Sequence, residues 1–323
     1  MKVLVVGYGS MGRRRIRLLK SIREDIEFIC VDSNQERMEQ AKSDGNLAYT
    51  KLTEAIEKRP KIAFVCTSPG HHAEIILLLI DAGIHVFTEL NLISDQYEKI
   101  IEESNKKNVK LFMSSTMLYN KSIQKIKELV QNQKQSLTYV YHIGQYLPDW
   151  HPWESYKDLF IGRKETNGVR EILAIQLPWL LDTFGEVACF HSSMNRCTNL
   201  DIDFQDSIIT TFEHKNGTHG VFIADTVSRK AITSLEIVGE EIHIFWHGHN
   251  DDLEIYNTES KQLNHIYAYD NVEHEDGYAD NIIENQYIDE IKDFLNYVEE
   301  GSLPKYSFEK DQRVLSLIDE IGA

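Results

Sequence analysis

Residues 3–12 read VLVVGYGSMG. A short aliphatic run breaks directly into Gly7, Gly9 and Gly12, spaced as G-x-G-x-x-G. Each glycine in such a turn has its own duty. The first permits the tight strand-to-helix turn, the second leaves no side chain between backbone and a pyrophosphate, and the third lets helix and strand pack closely. Ser10 and Met11 then open a helix whose N-terminus faces the diphosphate. An amphipathic run follows (Ile16, Leu18, Leu19, Ile22), and a second strand over 26–31 ends at Asp32. An acid about 20 residues past the fingerprint is placed to accept hydrogen bonds from ribose hydroxyls. Asp32, with Ser33 in the same loop, points to NAD rather than NADP, because a carboxylate repels a 2′-phosphate. Arg13, Arg14, Arg15 and Arg37 weigh slightly against that choice. The run of three arginines reads as a solvated helix face, with Arg13 near enough to the last glycine to touch phosphate.

Outward from this turn, strand and helix alternate to about residue 120. IAFVC (62–66) is a buried strand, followed by the loop Thr67, Ser68, Pro69 and a helix from about Gly70 to Ala82, which Gly83 ends. A strand over 84–88, a helix near 94–107 and a strand over 109–113 complete a doubly wound parallel sheet. Ligands of such sheets sit beyond the carboxyl ends of the strands, so Gly7 to Gly12, Asp32, Thr67 to His72, Glu89 to Asn91 and Ser114 to Asn120 should share one crevice. After a helix near 121–133 the pattern changes. Strands at hairpin spacing are expected over 137–145, 187–194, 206–213, 217–226, 232–238, 241–247, 253–257 and 263–269, with helices over 167–184, 280–299 and 307–321. Asn216-Gly217 between two alternating runs signals a type I′ hairpin. The expected organisation is a Rossmann domain over 1–120 and an α+β domain with an open, mostly antiparallel sheet over 121–323, the last helix packing back on the first domain.

At 323 residues the chain suits two domains with substantial cores. No apolar stretch reaches membrane-spanning length and the chain begins in a strand, so neither a span nor a signal peptide is expected. Four cysteines without C-x-x-C pairing, two of them (Cys30 and Cys66) in apolar strand runs, suit a reduced, cytoplasmic protein. A formal charge of −17 argues against nucleic acid as a partner.

VCTSPGHHAEIILLLIDAGIHVFTELNL (65–92) resembles the Gfo/Idh/MocA family of sugar-directed oxidoreductases, and YIDEIKDFLNYVEEGSLPKYSFEKDQRVLSLIDEI (287–321) is similar to that family's C-terminal end. GQYLPDWHPWESY (144–156) resembles a subgroup associated with unusual sugars of surface polysaccharides. The resemblance implies an E-K-P motif whose lysine lies beside nicotinamide and substrate. Here the motif reads Glu89, Leu90, Asn91, and leucine can neither donate a proton nor offset charge. It also implies an Asp and, four residues later, a His on one helix face. In NGVREILAIQLPWLLDTFGEV (167–187), alignment on Phe184-Gly185 places Glu171 and Ile175 there, and a one-residue shift places Ile172 and Gln176. The histidine is missing under both.

Three groups are candidates to replace the lost chemistry. Glu171 is a carboxylate base if burial raises its pKa, or a helix-start acid favoured by the dipole. His151 is a polar group among aromatics, or a surface-loop histidine. Lys164 restores the cation, or is a solvated approach to the helix. The resemblance also places His72 near the nicotinamide, with helix capping as the plain alternative, and sets Tyr119 and Asn120 where a loop approaches the cofactor ring, with Leu118 in place of the family's arginine. Trp150 and Trp153 stack on sugar rings or serve packing, and Gln176 is a further substrate candidate. His243, His247 and His249 alternate as metal ligands can, yet without cysteine or a fourth ligand no metal is assigned. The expected activity is NAD-dependent hydride transfer on a carbohydrate, nucleotide-linked or acidic, by a homodimer or homotetramer. The alternative is a non-catalytic dinucleotide-binding sensor or partner subunit.

Overall fold

The computed structural model describes residues 1–275 and 283–323. It divides into two compact units.

The first unit comprises Met1–Ser115 and Tyr287–Arg313. Its strands are β1 (Lys2–Val6), β2 (Glu27–Val31), β3 (Leu47–Tyr49), β4 (Ile62–Val65), β5 (His85–Thr88) and β6 (Leu111–Met113). They pair in parallel in the order β3-β2-β1-β4-β5-β6. Strands covered on both faces need continuous apolar runs, which KVLVV and IAFV supply. The crossovers carry α1 (Ser10–Ile22), α2 (Gln35–Ser43), α3 (Leu52–Ile56), α4 (His72–Asp81) and α5 (Tyr97–Lys107). The strand order reverses between β1 and β4, the position at which open α/β sheets bind ligands. Phe64, Phe87 and Phe112 on neighbouring strands form a stacked row, 4.8 and 5.1 Å between successive ring centroids. Phe294, from the later helix Asn285–Glu300, sets its ring against all three at 5.5 Å. That aromatic lock makes a distant segment part of this unit.

The second unit comprises Thr116–Gln286 and Val314–Ala323. It contains α6 (Lys121–Gln131), β7 (Thr138–Gly144), α7 (Gly168–Phe184), β8 (Val187–Asn195), β9 (Ser207–His214), β10 (His219–Asp225), β11 (Ile232–Val238), β12 (His243–Trp246), β13 (Glu254–Asn257) and β14 (Gln262–His265). Its sheet order is β14-β13-β12-β11-β7-β10-β9-β8, antiparallel except for the parallel pair β7/β10. Strict alternation, seen in the burial of Ile208, Thr210, Phe212 and His214 on β9, turns one face inward. Trp179 of α7 meets Tyr141 edge-on at 5.3 Å and Trp246 at 6.2 Å, so α7 covers that face. On other positions of the sheet Val140, Ile209 and Val238 are exposed.

Three expectations need correction. The chain leaves the first unit at Ser115 and re-enters it at Tyr287, so the division is not a single boundary near 120. The last two helices are α8 (Asn285–Glu300) and α9 (Phe308–Ile321), and α9 is shared: its residues to Arg313 belong to the first unit, those from Val314 to the second. Residues 280–282 of the expected 280–299 helix lie outside the described residues. The Asn216-Gly217 hairpin is not type I′, which needs positive φ at both central residues. Only Gly217 has it (+83°), and His214 N–H donates to Thr218 O at 2.8 Å around a three-residue loop. The side chain of Asn216, whose φ is not positive, accepts from Thr218 N–H at 3.0 Å.

Candidate functional site

The turn after β1 is held open by geometry at each glycine. Gly7 has φ +98°, its N–H donates to Val31 O at 2.7 Å, and a Cβ there would lie 2.6 Å from Cys66 O. A Cβ on Gly12 would lie 1.9 Å from Gly7 O. Gly9 differs, since a Cβ there would meet nothing nearer than Arg37 Nη1 at 3.8 Å. Packing forbids side chains at Gly7 and Gly12; at Gly9 the space is clear of protein. Gly9 caps α1 without a side-chain hydrogen bond, and the first turn has no acid. Ser10 is exposed and Met11 half-buried on that first turn. A helix start left uncapped, behind a cradle that a Cβ would fill, fits a diphosphate.

Asp32 is buried at the end of β2. Its Oδ2 accepts from Tyr8 N–H at 2.8 Å and its Oδ1 from Asn34 N–H at 2.9 Å, leaving further acceptor capacity. Ser33 beside it is exposed. Arg37, half exposed, reaches Asp32 Oδ2 at 3.4 Å. The arginine run is not a solvated face: Arg13 is exposed, but Arg14 and Arg15 are buried. Arg14 lies over the Tyr287 ring at 4.5 Å. Arg15 donates to both oxygens of Glu89 (2.6 and 3.0 Å) and to Glu290 Oε2 at 2.8 Å. Glu290 Oε1 accepts from Ser114 Oγ at 3.0 Å and Ser115 N–H at 2.7 Å. Burial alone would lower the Arg15 pKa, yet the two carboxylates hold it above its ordinary value. Burial pushes Glu290 up against the pull of Arg15. Glu89 is thus anchored by Arg15 of α1, which Glu290 of α8 holds through the same guanidinium. Sequence reading missed Arg15 and Glu290; the C-terminal resemblance marked the segment that holds Glu290 without marking its partner.

The loop after β4 is fastened through His72. Thr67, Ser68 and Pro69 project beyond the strand, and His72, at the start of α4, is buried rather than capping. Its Nε2 meets Thr67 O at 2.8 Å and its Nδ1 meets Asn91 Oδ1. Asn91 bonds Tyr97 OH at 2.7 Å, Tyr97 OH bonds Asp311 Oδ2 at 2.5 Å, and Tyr306 OH donates to Asp311 Oδ1 at 3.0 Å. Burial lowers the His72 pKa and raises that of Asp311 to about 7. Leu90, between two polar-anchored neighbours, is half-buried and carries no charge into the loop. Gly7–Gly12, Asp32, Thr67–His72 and Glu89–Asn91 therefore lie at the carboxyl ends of β1, β2, β4 and β5 of one sheet.

In the second unit, the two candidate pairs of α7 differ in burial. From Gly168 to Leu180 every residue is buried except Glu171 and Ile175, which are half-buried and four apart on one face. Ile172 and Gln176 point inward, and Gln176 Oε1 accepts from Tyr141 OH at 3.0 Å and Trp179 Nε1 at 2.7 Å. Gln176 is therefore engaged in the core of the second unit. Burial raises the Glu171 pKa to about 7.

Asn120 is likewise committed to structure. It caps α6 by accepting from Ile123 N–H at 3.1 Å and donates to Gln286 Oε1 at 3.0 Å. Tyr119 and Leu118 are buried. Trp150 packs on the cluster of Leu147, Ile161, Ile202 and Phe204 and donates to Gln145 O at 2.9 Å. Trp153 is 78% exposed, with His151 edge-on to it at 5.5 Å, and Lys164 is exposed. His243 bonds Glu236 at 2.7 Å. Among the described residues, no three His, Cys, Asp or Glu side chains converge as metal ligands, so the His243/His247/His249 alternation does not make such a cluster.

Residues 1–115 match the sequence profile of the Gfo/Idh/MocA oxidoreductase family, described as an NAD-binding Rossmann fold. The match covers the first unit's N-terminal segment, about a third of the chain. A myo-inositol 2-dehydrogenase of Thermotoga maritima is 30% identical over 138 residues, 41% of this chain and 41% of that protein's length. A levoglucosan dehydrogenase solved with NADH superposes with a TM-score of 0.83 at 16% identity, covering 99% of this chain and 95% of the other. A UDP-N-acetylglucosamine 3-dehydrogenase, GnnA of Acidithiobacillus ferrooxidans, superposes at 0.75 and 16% identity, covering 99% and 96%. The likeness in fold to these solved structures extends over both units. Among the described residues no helix is long and apolar enough to cross a membrane.

Proposed function

We propose that the protein is an NAD-dependent oxidoreductase that transfers hydride at a ring carbon of a carbohydrate, nucleotide-linked or acidic. The observation that carries this reading is the glycine turn: Gly7 and Gly12 are required by packing, whereas at Gly9 the protein leaves the space over the turn open, where a diphosphate fits. Gly7, Gly9, Ser10, Met11 and Gly12 hold the diphosphate, Asp32 and Ser33 the ribose, and Thr67–Pro69, His72 and Glu89–Asn91 the nicotinamide end. Bound there, the dinucleotide supplies the hydride acceptor or donor. Asp32, with two backbone donors already fixing it, favours a free 2′-hydroxyl.

Glu171 is the acid–base group of this reading. Its carboxyl has a pKa raised to about 7 by burial, which is where a group that exchanges a proton with a sugar hydroxyl works best. Trp153 offers an exposed aromatic face for a sugar ring, with His151 beside it. Lys164 keeps its ammonium in solvent and is the cation available to an acidic sugar. The exposed Val140, Ile209 and Val238 suit a homo-oligomer, checked by light scattering of the eluting protein.

The test is NADH and NADPH binding followed by fluorescence, then turnover on a panel of nucleotide-linked and free sugars with wild type, Glu171→Gln and His151→Ala. Binding with turnover lost in Glu171→Gln supports the reading. Failure to bind either dinucleotide refutes it. Leu90 and Ile175, apolar where the family carries Lys and His, favour a second reading, a dinucleotide-binding sensor or partner subunit. Tight NADH binding with no turnover on any sugar selects it.

A further inference from the structure

The polar groups from Thr67 to Tyr306 form one continuous chain buried in the first unit, and donor–acceptor arithmetic restricts how protons can be arranged along it. Thr67 O only accepts. With Asn91 Oδ1 toward His72 and Nδ2 toward Tyr97, both imidazole nitrogens must donate, and the Tyr97 hydroxyl donates to an ionised Asp311. Turning the Asn91 amide over keeps every heavy atom in place and reverses the chain. Protonated Asp311 then donates to Tyr97, Tyr97 to Asn91 Oδ1, Asn91 Nδ2 to a bare His72 Nδ1, and His72 Nε2–H to Thr67 O. The Thr88 hydroxyl, 3.3 Å from His72 Nδ1, rotates to serve either arrangement.

We propose that Asp311 is a positioning residue that sets the tautomer of His72 through Tyr97 and Asn91. While Asp311 is protonated, His72 carries its proton on Nε2 and ties down the Thr67 turn. When Asp311 loses its proton to solvent, Tyr97 must turn its hydroxyl toward the carboxylate and Asn91 must present Oδ1 to His72. His72 then needs a proton on Nδ1. Burial keeps His72 from holding two protons, so the proton leaves Nε2 and the bond to Thr67 O is lost. One proton leaves the chain, one moves across the imidazole, and no covalent bond changes.

The surroundings support a chain that works as a unit. Glu89 and His71 are the charged or titratable groups acting on His72, and Glu89 is already paired with Arg15. Tyr97 and Tyr306 are those facing Asp311, and no cation offsets its charge among its named partners. His72, Asn91 and Tyr97 line a cavity of about 200 Å³, with Asp95 on its wall, through which water can exchange protons with the chain. The titration window lies near pH 7, where burial places the Asp311 carboxyl.

Nitrogen-15 spectra of the histidines in the protein without cofactor identify which ring nitrogen of His72 is protonated. The expected result in wild type is Nε2–H below neutral pH and Nδ1–H above it, moving with the Asp311 carboxyl carbon at one midpoint. Asp311→Asn donates permanently to Tyr97, so Nε2–H should persist on both sides. Tyr97→Phe cuts the chain, and His72 should cease to follow Asp311. A wild type with one tautomer throughout, or an Asp311→Asn protein that switches like wild type, overturns the proposal. Should Asp311→Asn fail to fold, joint movement of His72 and Asp311 in wild type, lost in Tyr97→Phe, decides the matter. The proposal rests on the cofactor reading only for a second readout. NADH affinity should fall with rising pH in wild type and stay level in Asp311→Asn. Absence of NADH binding refutes the proposed function while leaving the tautomer result to stand or fall alone.

Discussion

Alanine at Gly9 and at Gly12 should have opposite effects, although both positions belong to one motif. Gly9 has φ −80° and ψ −162°, a conformation any residue adopts, and a methyl there meets nothing within 3.8 Å. Gly9→Ala should therefore melt within about 1 kcal/mol of wild type, with a small gain possible from the less flexible unfolded chain. The methyl occupies the space assigned to the diphosphate, however. Losing even two or three backbone contacts to phosphate removes about 3 kcal/mol of binding, a hundredfold in affinity. Gly12→Ala puts its Cβ 1.9 Å from Gly7 O, a backbone atom that cannot swing away. Separating α1 from β1 to relieve that contact should cost about 1–3 kcal/mol or more. For a domain of this size that is about 2–4 °C in melting temperature per kcal/mol. Thermal melts and NADH fluorescence titrations on both variants supply the four values. The reasoning is refuted if Gly9→Ala binds NADH like wild type, or if Gly12→Ala melts unchanged.

Replacing Arg15 by Met strands Glu290 and Glu89 without their cation and should destabilise the protein by about 3–5 kcal/mol in urea unfolding, with part recovered in the double variant Arg15→Met, Glu290→Met. Glu171 has a folded pKa near 7 against an ordinary 4.5, so it is an acid whose proton is held more tightly when folded. Stability at this position falls as pH rises between those values, and Glu171→Gln should flatten that slope in melts taken across the window. Removing the α6 cap and the Gln286 bond with Asn120→Ala should cost about 1–2 kcal/mol, read by thermal melting. Trp153→Ala should leave the melting temperature unchanged, since the ring is 78% exposed, while weakening sugar affinity in a binding titration.

Periodicity carried most of the architecture. The aliphatic runs of β1, β2 and β4 and the alternation along β9 to β11 gave their own boundaries to within a residue or two, because burial on two faces or on one imposes those patterns directly. Inside the second unit, spacing along α7 leaves two pairs open, and only the packed structure shows that Glu171 and Ile175 are half-buried while Ile172 and Gln176 are buried. Gln176, Asn120 and Trp150 each carry hydrogen-bonding atoms that the sequence cannot assign to a ligand or a neighbour; in the fold each bonds a neighbouring group of the protein.

Local sequence alone determined the glycine turn, the acid that follows β2 and the succession of strands and helices, because each depends on residues close along the chain. Only the tertiary structure decided which charges are inside. Arg15 lies 74 residues from Glu89 and 275 from Glu290, and Tyr97 lies 214 from Asp311. No spacing rule connects such residues. A buried ion or carboxyl persists only where the fold brings its partner to it, and that partner is chosen by packing at a distance.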